Sequence, residues 1–394
     1  MVIFHIDVNN AYLSWESVYR LTELNETLDL RDIPAVIGGD EKSRHGIVLA
    51  KSMPAKAFGI QTAETLAEAR RKCPNIHIVP PRHHIYKLFS KELIAYLRSQ
   101  TPIVEQYSID EAFADMTGCP LLMNNTPVEA AHQIREEIYQ RFGYTVNIGV
   151  STNKLLAKMA SDFEKPNKVH SLFPDEIEKK MWPLPVSELF FVGHASAKKL
   201  YNLGIRTIGE LARFDRNILK SHTGKHGTLI HDYANGIDHS PVLSEQPDNK
   251  GYGNSTTLSH DLTDASEAKK ILLTLCESVG SRLRADDFLA YVVAVSIKDN
   301  QFRNSSHQCT MSAATNVTSE LYSHVCDLFD EAWDGSPIRL LGVATSKLTK
   351  ERSRQLNILD SDYYIRQGKM EQTVDEIRKR FGNDAIFRAS GLEK

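Results

Sequence analysis

The sequence predicts an α+β protein with a ferredoxin-like sheet near its N-terminus, a helical middle segment and a second small α+β domain. Three observations support this prediction. Patterns typical of strand, helix, strand, strand, helix and strand follow one another within residues 1–172. Short helices separated by glycine turns begin near residue 189. Beyond a stretch with two prolines and two glycines at 241–253, helices and strands alternate again,.

The composition is that of a folded protein without membrane segments. The chain has 394 residues, of which 41% are hydrophobic and 25% charged, so it can form several domains with their own cores,. The N-terminal apolar run is interrupted by His5 and Asp7, and no apolar run reaches transmembrane length,. The five cysteines include no Cys-x-x-Cys pair. We therefore expect reduced thiols, a cytoplasmic location and no membrane association.

Two adjacent carboxylates, Asp110 and Glu111, form the most informative motif. They lie within residues 104–115, whose alternating pattern predicts two strands joined by a tight turn at the carboxylates,. The N-terminal strand at 2–6 leads directly into Asp7. Taken alone, such a triplet is usually a solvated turn. Three carboxylates on neighbouring strands would instead form an oxygen-rich site that suits Mg²⁺.

Two neighbouring features could bind phosphate beside these carboxylates. Asn9 or Asn10 can cap a helix that starts at this point, and a helix N-terminus offers free backbone N–H groups to phosphate oxygens,. Lys51 and Lys56 follow in a strand and a short helical turn. They are either ordinary surface lysines or contacts to an incoming triphosphate.

The segment from Gly193 to His231 is basic although the whole chain carries a net charge of −3. It contains seven Lys or Arg against two acidic residues, with glycine turns near Gly193 and at 224–227. Helix-hairpin-helix units present backbone amides to DNA phosphates in this way. Two packed helices would produce the same pattern for structural reasons alone.

The C-terminal third predicts a second domain and a tail. Helices are predicted at 265–284 and 318–333, and strands at 289–298, 308–312 and 339–345. The polar tail carries an isolated apolar peptide that is either noise or a docking motif, Gln355-Leu356-Asn357-Ile358-Leu359,. An amphipathic helix is predicted at 369–381.

Taken in order, these motifs resemble the Y-family translesion DNA polymerases, in particular the bacterial polymerase IV and SOS-mutagenesis branch. The resemblance covers residues 1–350. Its motifs are Asp7 with Tyr12, residues 55–59, residues 108–112, residues 149–154, residues 165–167, the turns near 193 and 225, and residues 339–343.

This resemblance implies a right-hand polymerase fold. Its parts would be a ferredoxin-like palm (1–10 and 80–172), small fingers (11–79), a helix-hairpin-helix thumb (173–240), a linker (241–253), an α+β little finger (254–350) and a tail (351–394).

The resemblance also implies an activity, which is template-directed, error-prone DNA synthesis past lesions in an SOS-type damage response. The enzyme would be a DNA-directed DNA polymerase that uses two Mg²⁺ ions, with Mn²⁺ as a substitute. Its partners would be primer–template DNA, deoxynucleoside triphosphates and a sliding clamp, and the chain would act as a monomer. No exonuclease-like domain is apparent, so proofreading is not expected.

Site residues follow by position from the family's motifs. The implied catalytic residues and metal ligands are Asp7, Asp110 and Glu111, with the Val8 carbonyl as a further ligand, and the implied steric gate against a ribose 2′-hydroxyl is Tyr12. The implied triphosphate contacts are Asn9, Asn10, Ala11, Lys56 and Lys165. The implied DNA contacts are Gly193, Ala195, Lys198, Gly224, Lys225 and Gly227. The implied clamp contacts are Gln355, Leu356, Asn357, Ile358 and Leu359.

Four positions depart from the family's pattern. Met53 stands where many members have a tyrosine that contacts the triphosphate, and Leu49 is larger than the alanine common over the nascent base pair. Phe191 replaces the first glycine of the hairpin. Leu359 replaces a phenylalanine, which should weaken clamp docking.

Two other functions fit part of the sequence. A nucleotidyl cyclase can share the palm and two metals, but the basic helical segment and second α+β domain argue against it. A DNA-binding regulator on a degenerate palm would have lost its metal ligands, whereas all three carboxylates are present.

Overall fold

The computed structural model describes residues 1–40, 44, 46–245, 247–351, 361–382 and 385–386, with only the backbone for 361–365. The chain forms two compact units, Met1–Gly39 with Gly46–Gln246 and Asp40–His45 with Pro247–Lys394.

The strands of the first unit are β1 (Ile3–Val8), β2 (Ala35–Gly38), β3 (Val48–Lys51), β4 (His77–Val79), β5 (Val104–Gln106), β6 (Glu111–Asp115), β7 (Val146–Ser151) and β8 (Val169–Ser171). Its helices are α1 (Ala11–Glu23), α2 (Met53–Ala57), α3 (Leu66–Lys72), α4 (His83–Gln100), α5 (Pro127–Phe142), α6 (Lys154–Asp162), α7 (Ile177–Lys180), α8 (His194–Asn202), α9 (Ile208–Arg213), α10 (Arg216–Thr223) and α11 (Lys225–Ala234).

The main sheet of the first unit has the predicted ferredoxin-like order. Its strands lie in the order β5-β6-β1-β7-β8, with β1 antiparallel to both β6 and β7. All six residues of β1 are buried. Phe4, Ile6 and Val8 share one core with residues of α4 and α5, while Ile3 packs with Ala157 of α6 on the other face. Strand β1 is therefore covered on both sides, and its polar residues His5 and Asp7 are buried with the apolar ones.

Helix α6 lies close against β7 because residue 149 is a glycine. A Cβ at Gly149 would lie 1.9 Å from the carbonyl oxygen of Ala157, so any side chain would push the helix away from the sheet. This close packing brings the basic side chains of α6 close to the sheet.

Two of the further hydrophobic cores of the first unit are centred on its smaller sheet and on its short helices. One core lies under a three-stranded sheet with the order β3-β2-β4, where Val36, Val48 and Leu66 are buried. The other core joins the short helices α7–α11 and includes Leu200 and Ile230. The first of these cores lies within residues 11–79, whereas the second also includes Leu155 and Met159 of α6.

The second unit is also α+β. It contains strands β9 (Gly251–Leu262), β10 (Leu289–Asp299), β11 (Asn304–Thr315) and β12 (Ile338–Thr349), and helices α12 (Ala265–Ala285), α13 (Thr318–Ala332) and α14 (Ser361–Phe381). The sheet order is β11-β10-β12-β9, and α12 and α13 pack against it through a common core. Among the described helices, none is both long and apolar enough to cross a lipid bilayer.

Strand β9 differs from the sequence prediction. It includes residues 251–253, which the sequence analysis assigns to the linker, and it was not predicted as a strand. Only Tyr252, Leu258 and Leu262 are buried in it, and glycine, serine and threonine fill most other positions. The strand forms because it pairs with β12 from Ser346↔Gly251 to Ile338↔Leu262, a tertiary interaction that local pattern does not reveal,. Helix α14 also begins earlier than predicted, at Ser361.

Candidate functional site

Three carboxylates meet at one end of the main sheet, as predicted. Asp7 of β1 is the register partner of Glu111, the first residue of β6. Asp110 lies in the turn just before β6, where its carbonyl oxygen accepts a 3.0 Å hydrogen bond from the amide of Val8. All three side chains line a cavity of about 470 Å³.

Several parts of the first unit form the walls of the cavity. The carboxylate turn forms one wall, and the start of α1 forms another. The other residues that line it are Val8, Asn9, Asn10, Ala11, Tyr12, Leu49, Ala50, Lys51, Met53, Lys56, Thr62, Ile109, Lys165 and Pro166. The structure therefore brings together every implied metal and triphosphate residue.

Two lysines neutralise the carboxylates. The ammonium group of Lys165 lies 2.5 Å from Asp7 Oδ2 and 2.8 Å from Asp162 Oδ1. Lys158 of α6 lies 2.8 Å from Glu111 Oε1 and 3.6 Å from Asp7 Oδ2.

The sequence analysis missed Lys158. Its signal is a lysine on a helix that is otherwise apolar between Leu155 and Ala160. A lysine at such a position is rarely buried without an acidic partner.

The carboxylates titrate differently because their surroundings differ. Burial raises the pKa of Glu111, but His5 and Lys158 outweigh it and lower the pKa to about 2. Burial raises the pKa of Asp110 above its ordinary value, the hydrogen bond from Ser108 opposes this shift in part, and the negative charges of Asp7 and Glu111 add to it. Asp110 is thus the carboxylate that most needs a cation.

The donor set fits a hard divalent cation. In the part of the chain that the structure describes, these three carboxylates line the same cavity without forming a close metal-ligand cluster. The ammonium groups of Lys158 and Lys165 supply the positive charge to Asp7 and Glu111 instead. Carboxylate oxygens are among the ligands that Mg²⁺ prefers.

Tyr12 lies on the floor of the cavity and is held by other aromatic rings. Its ring stacks on Tyr86 at a centroid distance of 4.8 Å and meets His83 edge-on at 5.7 Å. Tyr86 is fully buried and donates a 2.9 Å hydrogen bond to Glu16, which is also fully buried. These contacts restrict where the Tyr12 ring can lie.

Helix α1 begins at Ala11, after Asn10 in the left-handed conformation. The N–H groups of its first turn have no partner within the helix and face the cavity region. Asn9 is different, because its own N–H bonds the carbonyl oxygen of Thr145. Its side-chain amide is bound to Asn147 and to the backbone of Asn167.

The smaller sheet contributes the opposite wall. Leu49 and Lys51 project from the same face of β3, and Lys56 lies on α2. Burial lowers the pKa of Lys51, and the nearby charge of Lys56 lowers it further. Met53, at the start of α2, is 42% exposed and also lines the cavity.

Two helix N-termini lie together in the helical region. Gly193 precedes α8, which carries Ala195 and Lys198, and Gly224 precedes α11, which begins at Lys225. Ser196 Oγ and His226 Nε2 are 3.2 Å apart, so the two N-termini share one surface.

Two positions in these turns depend on backbone geometry. Gly227 cannot be replaced easily, since a Cβ there would lie 1.8 Å from Thr223 Oγ1. Phe191, in the place of the first hairpin glycine, has φ 70°, a left-handed conformation that favours glycine,. The implied clamp peptide, residues 355–359, lies outside the described residues.

Comparison with known proteins identifies related sequences along most of the chain. Residues 6–162 match the impB/mucB/samB family, residues 174–205 match the IMS family HHH motif, and residues 249–358 match the impB/mucB/samB family C-terminal domain. DNA polymerase IV of Clostridium acetobutylicum is 48% identical over 393 residues, which are 100% of this chain and 98% of that protein. DNA polymerase IV 1 of Bacillus subtilis is 34% identical over 396 residues, 100% of this chain and 94% of that protein.

A solved structure supports the fold. A Y-family DNA polymerase chimera superimposes with a TM-score of 0.75 at 23% sequence identity, covering 89% of this chain and 100% of the chimera. The predicted fold class is therefore confirmed.

Proposed function

The chain belongs to the Y-family DNA polymerases through the impB/mucB/samB family, and from this membership we propose that it copies damaged DNA templates with low fidelity. The observation that carries the proposal is the meeting of Asp7, Asp110 and Glu111 at one cavity with the N-terminus of α1 and with Lys56. Such a site suits transfer of a nucleotide from a triphosphate to a hydroxyl.

We propose that the site works with divalent metal. Asp7, Asp110, Glu111 and the carbonyl of Val8 would hold two Mg²⁺ ions, with Mn²⁺ as a substitute. When bound, the ions lower the pKa of the primer 3′-hydroxyl and neutralise the charge on the departing pyrophosphate.

The basic residues of the site would balance the negative charge of the carboxylates and of the triphosphate. Lys158 keeps Glu111 ionised, because its ammonium lies 2.8 Å from the carboxylate in a buried position. Lys165 is more exposed, at 36% of its side chain, and can turn from Asp7 toward a phosphate of the nucleotide. Lys56 and the free amides of Asn10 and Ala11 would bind the same triphosphate.

Tyr12 would select the sugar. Its ring is fixed from behind by Tyr86 and from the side by His83, so it cannot easily yield to a ribose 2′-hydroxyl. The larger Leu49 and the absence of a tyrosine at Met53 would alter how the nascent base pair is held.

The helical region would bind the DNA backbone. The paired N-termini of α8 and α11 offer amides at residues 193–195 and 224–227, with Lys198 and Lys225 beside them. Phosphates are bound in this way at helix N-termini.

The remaining parts of the proposal concern organisation. Residues 1–10 and 80–172 would be the palm, 11–79 the fingers, 173–240 the thumb and 254–350 the little finger, with β9 extending the little finger from residue 251.

The chain would act as a cytoplasmic monomer in an SOS-type response, without proofreading. It would bind a sliding clamp through Gln355, Leu356, Asn357, Ile358 and Leu359.

Primer extension tests the proposal. Wild type, Asp110→Ala and Glu111→Ala are compared on intact and abasic templates with Mg²⁺ and deoxynucleotides. Asp115→Ala is the matched control, since Asp115 lies at the other end of β6 from the cavity. We expect extension by wild type and the control and none by the two site variants. Absence of extension by wild type that still binds primer–template would overturn the enzymatic proposal and favour a DNA-binding regulator.

A further inference from the structure

Asn147 is a buried polar residue that the proposed chemistry does not use. It lies on β7 as the register partner of Asp7 and is 0% exposed. A buried side-chain amide is costly unless its donors and acceptors are all used. The partners of Asn147 therefore indicate what it does.

All four hydrogen-bonding positions of the Asn147 side chain are occupied. Its Nδ2 donates to the carbonyl oxygens of Ser161 at 3.0 Å and Glu164 at 2.7 Å. Its Oδ1 accepts from the backbone amide of Lys168 at 3.2 Å and from Asn9 Nδ2 at 3.1 Å. Because three of these partners are backbone groups, the orientation of the amide is fixed.

Asn9 continues the same network. Its Oδ1 accepts a 2.8 Å hydrogen bond from the backbone amide of Asn167. Asn9 and Asn147 together therefore bind the chain at residues 164, 167 and 168. Lys165 lies between these points, and its ammonium bonds Asp7 and Asp162.

We propose that Asn147 and Asn9 are positioning residues that set where the Lys165 ammonium meets Asp7 and the nucleotide phosphates. They act through Lys165 and touch neither the carboxylates nor the substrate themselves. This inference rests on the proposed function, because it assigns Lys165 to the incoming nucleotide. It also gives Asn9 a role other than direct contact with the triphosphate.

The expected effect is weaker nucleotide binding. Without the Asn147 amide, the segment 164–168 loses two of its anchors, at Glu164 and Lys168, and Lys165 is no longer held at one place. Displacement of a charged contact by about 1 Å weakens productive binding by roughly ten-fold or more. The dissociation constant for primer–template should not change, because the proposed DNA contacts lie at the starts of α8 and α11 and not in the segment 164–168.

The test measures the dissociation constant of a deoxynucleoside triphosphate from the complex of the protein with a dideoxy-terminated primer–template. Because this primer cannot be extended, the measurement needs no turnover. It also measures KM and kcat in single-nucleotide extension. We expect Asn147→Ala and Asn9→Ala to raise the dissociation constant and KM about ten-fold, with a smaller change in kcat. Asn147→Ser, whose hydroxyl can still donate to one carbonyl, should give an intermediate value.

A double-mutant cycle separates this role from general stability. Lys165→Met alone should weaken nucleotide binding, and Asn147→Ala added to it should weaken binding no further. Ser151→Ala is the matched control. Ser151 lies on the same strand as Asn147, and its buried hydroxyl donates a hydrogen bond to the carbonyl oxygen of Leu172 without reaching residues 164–168. It should lower Tm and leave the nucleotide affinity unchanged.

Two results would overturn the inference. One is a nucleotide affinity in folded Asn147→Ala and Asn9→Ala equal to that of wild type. The other is independent, multiplicative losses in the double variant, which would mean that Asn147 does not act through Lys165. Failure of wild type to extend any primer would instead overturn the proposed function itself.

Discussion

The ammonium of Lys158 lies 2.8 Å from Glu111 Oε1, and the Lys158 residue is only 8% exposed. The lysine reaches the carboxylate from α6, and Glu111 also lines the cavity. Glu111 thus has a permanent counter-charge on one side and remains accessible on the other.

Lys158→Met should make stability less dependent on acidic pH. The pKa of Glu111 is lowered from 4.5 to about 2, so its ion pair stabilises the fold fully above pH 4.5 and the contribution disappears as pH falls toward 2,. The loss at neutral pH should be somewhat below the roughly 3–5 kcal/mol typical of a fully buried pair, because Glu111 is partly exposed. Tm measured from pH 7 to pH 2 in EDTA should show a gap between wild type and variant that narrows below pH 4.5,. A constant gap would mean that Lys158 acts through packing alone.

Tyr12→Ala should admit ribonucleotides. Removing the ring opens the floor of the cavity where the sugar would lie, and discrimination against ribonucleoside triphosphates should fall by on the order of 100-fold or more. Single-nucleotide extension with paired ribo- and deoxynucleotides measures this ratio. Tyr12→Phe keeps the ring stacked on Tyr86 and should retain discrimination. Equal discrimination in Tyr12→Ala and wild type would argue against the steric gate.

Phe191→Gly should be more stable than Phe191→Ala. Both variants lose the ring contacts with Phe190 and Tyr233, but only glycine adopts φ 70° without steric cost. That cost is about 1 kcal/mol for a residue with a Cβ, more than the entropy that glycine gains on unfolding. Urea denaturation of the two variants compares them directly. If the alanine variant is equally stable, the left-handed conformation carries no strain.

Glu371→Ala should release α14 from the second unit. The Glu371 carboxylate is 3% exposed, accepts hydrogen bonds from the amide of Thr318 at the start of α13, and contacts Arg284 of α12. Removing it leaves a buried guanidinium with less compensation, a loss of about 3–5 kcal/mol. Trypsin should then cleave at Arg378 and its basic neighbours much faster than in wild type. Glu376→Ala, an exposed position on the same helix, should not change the rate, and unchanged cleavage in Glu371→Ala would contradict the anchoring role.

The carboxylate site could be predicted from sequence because its geometry follows from strand order. A strand that ends at Asp7 and a hairpin that turns at Asp110 must place their carboxylates side by side once the two strands pair. The place of the start of α1, which we propose binds phosphate, follows in the same way, since the helix begins directly after the strand.

The supporting groups could not be predicted, because they depend on tertiary contacts. Lys158 reaches Glu111 only because Gly149 lets α6 pack closely on β7. Asn147 appears in the sequence as one polar residue in an apolar strand, and its partners come from a segment that follows α6. Strand β9 has too few apolar residues to be recognised without its partner β12.

The central position of β1 has a consequence for local unfolding. Its amide hydrogens bond strands on both sides, and all six residues are buried, so they should exchange with solvent only when the whole unit unfolds,. Segments with fewer buried residues should open at lower free energy. Asp7 therefore belongs to the slowest-exchanging part of the chain, and its position persists while more labile segments open and close around it.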